Sequence, residues 1–386
     1  MEDLPLDISL NILKQLPITS LLSFKLVSKA CYAQAANPLL APNYKRYQET
    51  PNCFIIHPLA SYHEYPLYLI DNGEVVRRIE RPEMQNKFHP GPVLSTNGLL
   101  CLLFYTFNSY GDPLVLCYRA CLCNPLTGEN DFLPDPGVPR FRKSGDKERV
   151  FVDSTFGFGD NASTREYKVV GFRRRIYESA TNRRYKLHAK VIAMGKKGCQ
   201  WSEIDKPFLC PLHSSDIVVG NAIHWFCKEE EEEDWLRGAI LSFHLSEEKF
   251  HQLPNPDCKI SRYNSYLSVL GGCLVLTNDF FVWNEVKVHI WMLKEHGVKE
   301  SWTKEFVIRD NFPVSLRNYG MIRPLFHLKS GKIVIIYDDE ALYSYDPKVE
   351  LFEALGRYKH WRTTCDAHRK LWKTICQAPS LVSPYI

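Results

Sequence analysis

The feature that most restricts how this chain can fold is a short phrase that returns along most of its length: a Gly or Asn turn followed at once by an apolar strand. It is written as Ser95-Thr96-Asn97-Gly98-Leu99-Leu100, Val219-Gly220-Asn221-Ala222-Ile223-His224-Trp225, Leu270-Gly271-Gly272-Cys273-Leu274 and Lys329-Ser330-Gly331-Lys332-Ile333. A second turn follows three of these, in Cys123-Asn124-Pro125-Leu126-Thr127-Gly128, Leu245-Ser246-Glu247-Glu248-Lys249-Phe250 and Tyr345-Asp346-Pro347-Lys348-Val349-Glu350, and twice the next strand closes on Leu-Pro, at 133–134 and 253–254. Gly and Asn tolerate the positive φ that tight hairpins need. The runs beside them, such as Leu99–Leu103, Tyr167–Val170, Ala239–Phe243 and Ile333–Tyr337, are short, β-branched or aromatic, and lack helical periodicity. A hairpin unit recurring at roughly 40–50 residues predicts a β-propeller, and roughly seven such periods fit between residues 46 and 386, which brackets six to eight blades. A stacked sandwich would match the strand content but leaves the recurrence unexplained.

The beginning of the chain follows another rule. From Leu4 to Val27, 24 positions hold thirteen Leu, Ile, Val or Phe residues. Pro5 suits a first helical turn, where its missing N–H costs nothing, and Asp7 lies near the positive end of the helix dipole. Ile8, Ile12 and Leu16, flanked by Leu13, line one face until Pro17 stops the helix. Thr19 or Ser20 can cap a second helix, in which Leu21, Leu22, Phe24, Leu26 and Val27 cover more than one stripe. A unit of about 40 residues rarely buries enough surface to stand alone. Its apolar excess must cover either the rest of this chain or another protein, as a helix-in-groove contact, and the pattern alone leaves both open. Pro42 and the polar run 43–52 then read as a linker, giving a helical module over residues 1–45 and an all-β domain over 46–386.

Composition narrows the function classes. A formal charge of +4 on 386 residues is too small to argue for nucleic acid or an anionic membrane. The N-terminus MEDLPLD has neither the basic region nor the apolar core of a secretory signal, and no run reaches membrane-spanning length, so a cytoplasmic or nuclear protein is expected. The thirteen cysteines are odd in number, scattered and without a CxxC pair, which reads as reduced thiols. Neither Cys117, Cys121 and Cys123 nor His360, Cys365, His368 and Cys376 has defensible zinc spacing. No metal and no cofactor are expected.

No catalytic constellation stands out: GxSxG, HExxH and GKS/T are all missing. Gly157-Phe158-Gly159-Asp160-Asn161-Ala162 has dinucleotide-fingerprint spacing, but it runs on into a turn and a strand instead of opening a helix. Between Arg165 and Lys190 stand nine Lys or Arg against Glu166 and Glu178, with Phe172, Tyr177 and Tyr185 interleaved. Such a stretch is either a solvated hairpin or a grip for an acidic partner; Arg173, Arg174, Arg175, Arg183 and Arg184 are its candidate target-binding residues, with an acidic protein segment favoured over nucleic acid. The acidic run from Glu229 to Asp234 reads as a loop tip.

LPLDISLNILKQLPITSLLSFKLVSKACY resembles the F-box, whose pattern runs LPxD/E, IL, LP and a Leu-rich turn into FKxVSK. Leu4, Pro5, Asp7, Ile12, Leu13, Leu16, Pro17, Leu21, Leu22, Phe24, Lys25, Val27, Ser28 and Lys29 match, and Cys31 stands where the family usually has Trp. The body is similar to the F-box-associated, kelch-like region of plant F-box proteins, through STNGLLCL, LCNPLTGENDFLP, FGFGDNASTREYKVVGF, Gln200-Trp201-Ser202, GNAIHW, ILSFHLSEEKFHQLP, VHIWMLKEHGVKESWTKEF, YDPKVELFEAL and SLVSP. The resemblance implies an α+β multi-domain chain, a three-helix F-box followed by a large β-propeller. It further implies a non-catalytic substrate-recognition subunit of a Skp-cullin-F-box ubiquitin ligase, reaching cullin and RING subunits through a Skp-type adaptor and recruiting a target protein. The implied adaptor contacts are Leu4, Pro5, Ile8, Ile12, Leu13, Leu16, Pro17, Leu21, Leu22, Phe24, Val27, Ser28 and Lys29. Two other readings are a propeller that binds a small molecule or glycan, and an interaction scaffold unconnected with ubiquitin.

Overall fold

The computed structural model describes residues 4–13, 15–16, 18–35, 53–58, 67–71, 74–79, 88–96, 99–107, 114–124, 128–136, 149–161, 163–164, 166–178, 183–194, 199–205, 207–211, 213–228, 238–258, 265–282, 285–309, 322–328, 330–337, 341–356 and 372–375. Three short helices come first: α1 (Leu6–Leu13), α2 (Ile18–Lys25) and α3 (Lys29–Ala35). As its sequence suggests, α1 starts one residue after Pro5, and the Ser9 amide donates to the Pro5 carbonyl at 3.0 Å. Ser28 caps α3: its Oγ accepts from the Cys31 amide at 3.1 Å, satisfying one of the helix's orphan donors.

Among the described residues the strands form five sheets, one of them eight-stranded. That sheet divides where β6 and β8 pair in parallel over only Leu114–Phe151 and Val115–Val152, so the strands run as six antiparallel meanders. The first is β1 (Cys53–Pro58), β2 (Leu67–Asp71) and β3 (Glu74–Ile79). The second is β4 (His89–Thr96), β5 (Leu99–Phe107), β6 (Leu114–Cys123) and β7 (Asn130–Phe132); the third is β8 (Arg149–Asn161), β9 (Glu166–Glu178), β10 (Arg183–Ala193) and β11 (Ser202–Ile204). The fourth comprises β12 (Cys210–Pro211), β13 (Ile217–Val219), β14 (Ala222–Lys228), β15 (Gly238–His244) and β16 (Lys249–Leu253). The fifth runs through β17 (Ser265–Leu270), β18 (Cys273–Val282), β19 (Glu285–Leu293) and β20 (Trp302–Ile308), and the sixth through β21 (Ile322–His327), β22 (Ile333–Tyr337), β23 (Ala341–Asp346) and β24 (Leu351–Gly356). β25 (Trp372–Ile375) returns to pair antiparallel with β1, Ile55 opposite Ile375 and Pro58 opposite Trp372. β1 and β25, from opposite ends of the described chain, thus share one sheet, in which β25 covers the side of β1 away from β2.

The turn chemistry explains the hairpins. Gly220 and Asn221, between β13 and β14, both have positive φ (59° and 60°), as do Gly271 and Gly272 (59° and 79°) between β17 and β18. Two positive values in a two-residue loop make a type I′ turn, whose twist matches that of the strands it joins. In the second recurring turn the left-handed residue is Gly128 in one copy, Glu248 in the next and Glu350 in the third. The amides of Gly128 and Glu248 close equivalent turns, onto the Asn124 carbonyl at 2.9 Å and the His244 carbonyl at 2.8 Å.

The core lies in the seams between meanders. Leu94, Leu99, Cys101 and Leu122 of the second meet Phe156, Phe158, Val169 and Ile192 of the third. Val170, Phe172 and Val191 then turn the third meander's other face to Trp225, Leu241 and Phe243 of the fourth. Gly157 and Gly159, the pair with fingerprint spacing, belong to this second seam. A Cβ on Gly157 would stand 2.0 Å from Cζ2 of Trp225, and one on Gly159 would stand 2.8 Å from Ile223. The glycines admit side chains of a neighbouring sheet, and Trp225 (1% exposed) donates its indole N–H to the Phe156 carbonyl at 3.1 Å.

The two Leu-Pro pairs are also seam elements. The Trp201 indole donates to the Pro134 carbonyl at 2.7 Å, and the Trp302 indole donates to the Pro254 carbonyl at 2.8 Å. In both places a Trp at the start of a meander's last strand latches the strand end of the meander before it. Buried Leu133 and Leu253 sit beneath these latches.

His224 lies in the seam between the fourth and fifth meanders. Its Nδ1 is 3.2 Å from the Ile217 carbonyl and its Nε2 is 2.8 Å from Nε2 of His296. Burial, reinforced by His296, pushes the His224 imidazole down to about 3. The neutral ring donates from Nδ1 and accepts from His296 at Nε2. The unfolded chain protonates this residue near pH 6.5, so the stabilisation is complete above that pH and drains away as pH falls toward 3. We expect His224 alone to cost on the order of 2 kcal/mol between pH 7 and pH 5. Denaturant midpoints at the two pH values check this, and a midpoint gap that His224→Gln does not narrow would contradict it.

Candidate functional site

The helical module has two faces with different fates. Leu10, Leu13 and Leu21 are buried in one cluster with Leu67 and Ile79 of the first meander and Val93, Leu100, Leu102, Phe104, Cys121 and Cys123 of the second, with Leu16 and Phe24 packed against it. The Tyr32 hydroxyl adds a 3.2 Å hydrogen bond to the Glu129 carboxylate, whose charge holds the phenol above its ordinary range. Other apolar side chains of the module stay in water: Leu4, Leu6, Ile8 and Ile12 are 40%, 49%, 44% and 38% exposed, and Leu26 and Val27, in the turn after α2, are 87% and 72% exposed. Large apolar side chains this exposed mark an interaction surface when they stand together.

The sequence-derived adaptor residues therefore divide. Leu4, Pro5, Ile8, Ile12, Val27 and Lys29 are exposed, Ser28 and Phe24 are half-buried, and Leu13 and Leu21 are fully enclosed in this chain's own core. Pro17 and the Leu22 side chain lie outside the described residues. Self-packing and exposure are both realised within the same module. Leu6 and Leu26, which are not in the adaptor set, are exposed as well; Leu6 falls on the same helical stripe as buried Leu10 and Leu13 but at the outer end of α1, and Leu26 belongs to the broad apolar surface expected of the second helix. Cys31, where the family usually has Trp, is buried (8% exposed) on α3.

The basic stretch forms the second candidate surface. β9 and β10 pair along their full length, so Arg173 lies opposite His188 and Arg175 opposite Lys186. Arg173 and Arg175 share one face of β9 and line a cleft; Arg174 points the other way, with a guanidinium nitrogen 3.5 Å from Cys210 Sγ. Arg183 and Arg184 are on β10 opposite Glu178 and Tyr177, their side chains outside the described residues. Lys190 joins the cleft through an ion pair with Glu203 (3.1 Å) and a hydrogen bond to the Pro136 carbonyl (3.2 Å).

Among the described residues no three His, Cys, Asp or Glu side chains gather as a metal would require, and no helix is long and apolar enough to cross a membrane. No described cysteine is in a disulfide. Burial pushes the Cys121 thiol up to about 12 and raises those of Cys101 and Cys227 well above their ordinary value, so these sulfurs are packing groups and poor nucleophiles. The loose cluster of His360, Cys365, His368 and Cys376 and the acidic run 229–234 lie outside the described residues.

Both parts of the chain are similar to known proteins. Residues 70–384 match the F-box associated beta propeller domain, and residues 1–41 match the F-box domain. Three curated Arabidopsis thaliana relatives align along most of their length. F-box protein At3g07870 is 29% identical, covering 92% of this chain and 88% of the relative. F-box protein CPR1 is 25% identical, covering 87% and 80%, and F-box/kelch-repeat protein At3g23880 is 23% identical, covering 86% and 85%. The chain belongs to the family of F-box proteins that carry an F-box associated beta propeller domain.

Proposed function

We propose that this chain is a substrate-recognition subunit of a Skp-cullin-F-box ubiquitin ligase. The observation that carries the reading is the exposed face of Leu4, Leu6, Ile8, Ile12, Leu26 and Val27 on a module whose other face is already spent on this chain's own core. On this reading residues 1–45 hold a Skp-type adaptor, and through it the cullin and RING subunits. Residues 46–386 form a propeller in which the six meanders are six blades, closed by the β1–β25 pair. An apolar centre rimmed by Asp7 and Lys29 fits such an interface.

The chain itself makes and breaks no bonds. Tethering a target to the assembly raises the effective concentration of its lysines near the ubiquitin-charged enzyme. The compartment is the cytoplasm or nucleus. The test is direct: purified full-length chain and a recombinant Skp-type adaptor, mixed at micromolar concentration, should co-elute as a single complex on size exclusion. Separate elution at all concentrations would overturn the reading.

A further inference from the structure

The seam between the second and third meanders changes character along its length. Three rows of facing residues cross the third sheet. Phe158, Val169 and Ile192 lie opposite one another in the apolar core. The next row is Phe156, Gly171, Lys190 and Glu203, and the one after it is Ser154, Arg173 and His188. The core thus gives way within two rows to a cleft of about 290 Å³, into which Arg175 and Trp201 also reach. That is near the lower bound for small-ligand sites, roughly 300–1,000 Å³.

Three properties make this cleft more than a charged edge. Its apolar wall is rigid: Phe156 is 4% exposed, and the Trp201 ring is fixed by its bond to the Pro134 carbonyl. Its floor is open because residue 171 is glycine; a Cβ there would stand 3.3 Å from the Phe156 ring and 3.4 Å from the Trp201 ring. Its lining is mainly cationic: among the described residues that form it, Arg173, Arg175 and Lys190 stand beside one carboxylate, Glu203, which pairs with Lys190, and Arg175 also donates to the Tyr177 hydroxyl at 3.2 Å. A flat ring can slide over the glycine between the aromatic side chains, while guanidinium groups favour a planar or tetrahedral oxyanion by charge-assisted, forked hydrogen bonds.

We propose that this cleft binds an aromatic ring bearing an anionic head, phosphate or carboxylate, with the ring against Phe156 and Trp201 and the head on Arg173 and Arg175. The chemistry is shared by a phosphotyrosyl side chain of a bound protein and by a free aromatic acid. The site is independent of adaptor docking, and its test uses the full chain alone.

Phenyl phosphate is titrated into the purified chain and followed by calorimetry and tryptophan fluorescence, beside inorganic phosphate and phenol. Saturable binding of phenyl phosphate, at least tenfold tighter than either fragment, supports the proposal. Arg173→Gln with Arg175→Gln should weaken it at least tenfold. Gly171→Ala should weaken phenyl phosphate more than inorganic phosphate, because the methyl group fills the ring's place. Glu203→Gln, which removes the opposing carboxylate, should tighten binding, an outcome that misfolding does not produce. No saturable binding at millimolar phenyl phosphate, equal affinity for inorganic phosphate, or indifference to the arginine pair would each overturn the assignment. If it binds, a phosphotyrosyl peptide that is tenfold tighter than phenyl phosphate places the ligand on a protein, and equal affinity places it among free small acids.

Discussion

Replacing Trp225 with Ala should destabilise the chain by about 3–5 kcal/mol, the cost of deleting a large aromatic side chain from a core that does not collapse around the gap. Trp225 is 1% exposed, meets Phe172 edge-on with ring centroids 5.0 Å apart, and lies against the bare backbone of Gly157. Losing the indole also removes one of two donors to the Phe156 carbonyl, which keeps the Ser215 amide at 2.8 Å, so the packing loss dominates. The converse change, Gly157→Val, should be as damaging, because its Cβ would sit 2.0 Å from the Trp225 ring and the backbone of β8 cannot yield. The two positions should also be coupled. Gly157→Ala should cost markedly less in a Trp225→Leu background than in the wild type, since the smaller side chain vacates the place of the new methyl. Urea midpoints of the four proteins make the cycle; strictly additive costs would show that the contact is not the reason for glycine at 157.

Replacing Ile8 and Val27 together with Asp should weaken adaptor binding by at least a hundredfold, about 2.7 kcal/mol, without lowering the thermal midpoint. Both side chains are exposed in the isolated chain, so charging them removes nothing from its core but places carboxylates where an apolar partner must desolvate them. Leu13→Asp or Leu21→Asp should behave differently. Each side chain is fully buried against the first two meanders, so a carboxylate there disrupts the helical module itself and lowers both stability and binding. Titration of the adaptor against each variant, with circular dichroism melts alongside, separates the classes. If the Ile8 and Val27 pair binds like the wild type, the exposed face is not the docking surface.

Much of this was legible before any coordinates. Turn conformation is local: a Gly or Asn pair that tolerates positive φ announces its hairpin wherever it occurs, and Gly220–Asn221 and Gly271–Gly272 adopt the turns their sequence predicts. The α1 start beside Pro5 is equally local, whereas α2 begins at Ile18, so the expected caps Thr19 and Ser20 lie inside its first turn, and the Ser28 cap of α3 was not among the expectations. The F-box residues could be recognised as a set, but not divided. Helical periodicity sorts Ile12 and Leu13 onto neighbouring positions without saying which meets the β-domain, because that depends on where the strands of two distant meanders present their own apolar rows.

The basic stretch shows the same limit. Sequence grouped Arg173, Arg174 and Arg175 as one cluster; the pleat of β9 divides them, placing Arg173 and Arg175 on the cleft and Arg174 on the far side. The glycines at 157 and 159 could be read as unusual but not explained, since their partners Trp225 and Ile223 stand more than sixty residues away. Likewise, neither Leu-Pro pair reveals from sequence that a Trp of the following meander will bond to its carbonyl.

The sequence by itself therefore determined much of the local structure of this protein, its hairpin turns, the start of α1 and its short strands, together with its family, because each rests on neighbouring residues or on motifs in order. Only the tertiary structure decided which apolar helix face is spent inward, which arginines share a cleft and how the last strand closes on the first. Those are relations between residues far apart in the chain, fixed by how consecutive sheets stack their faces and by the backbone pairing of β25 along β1.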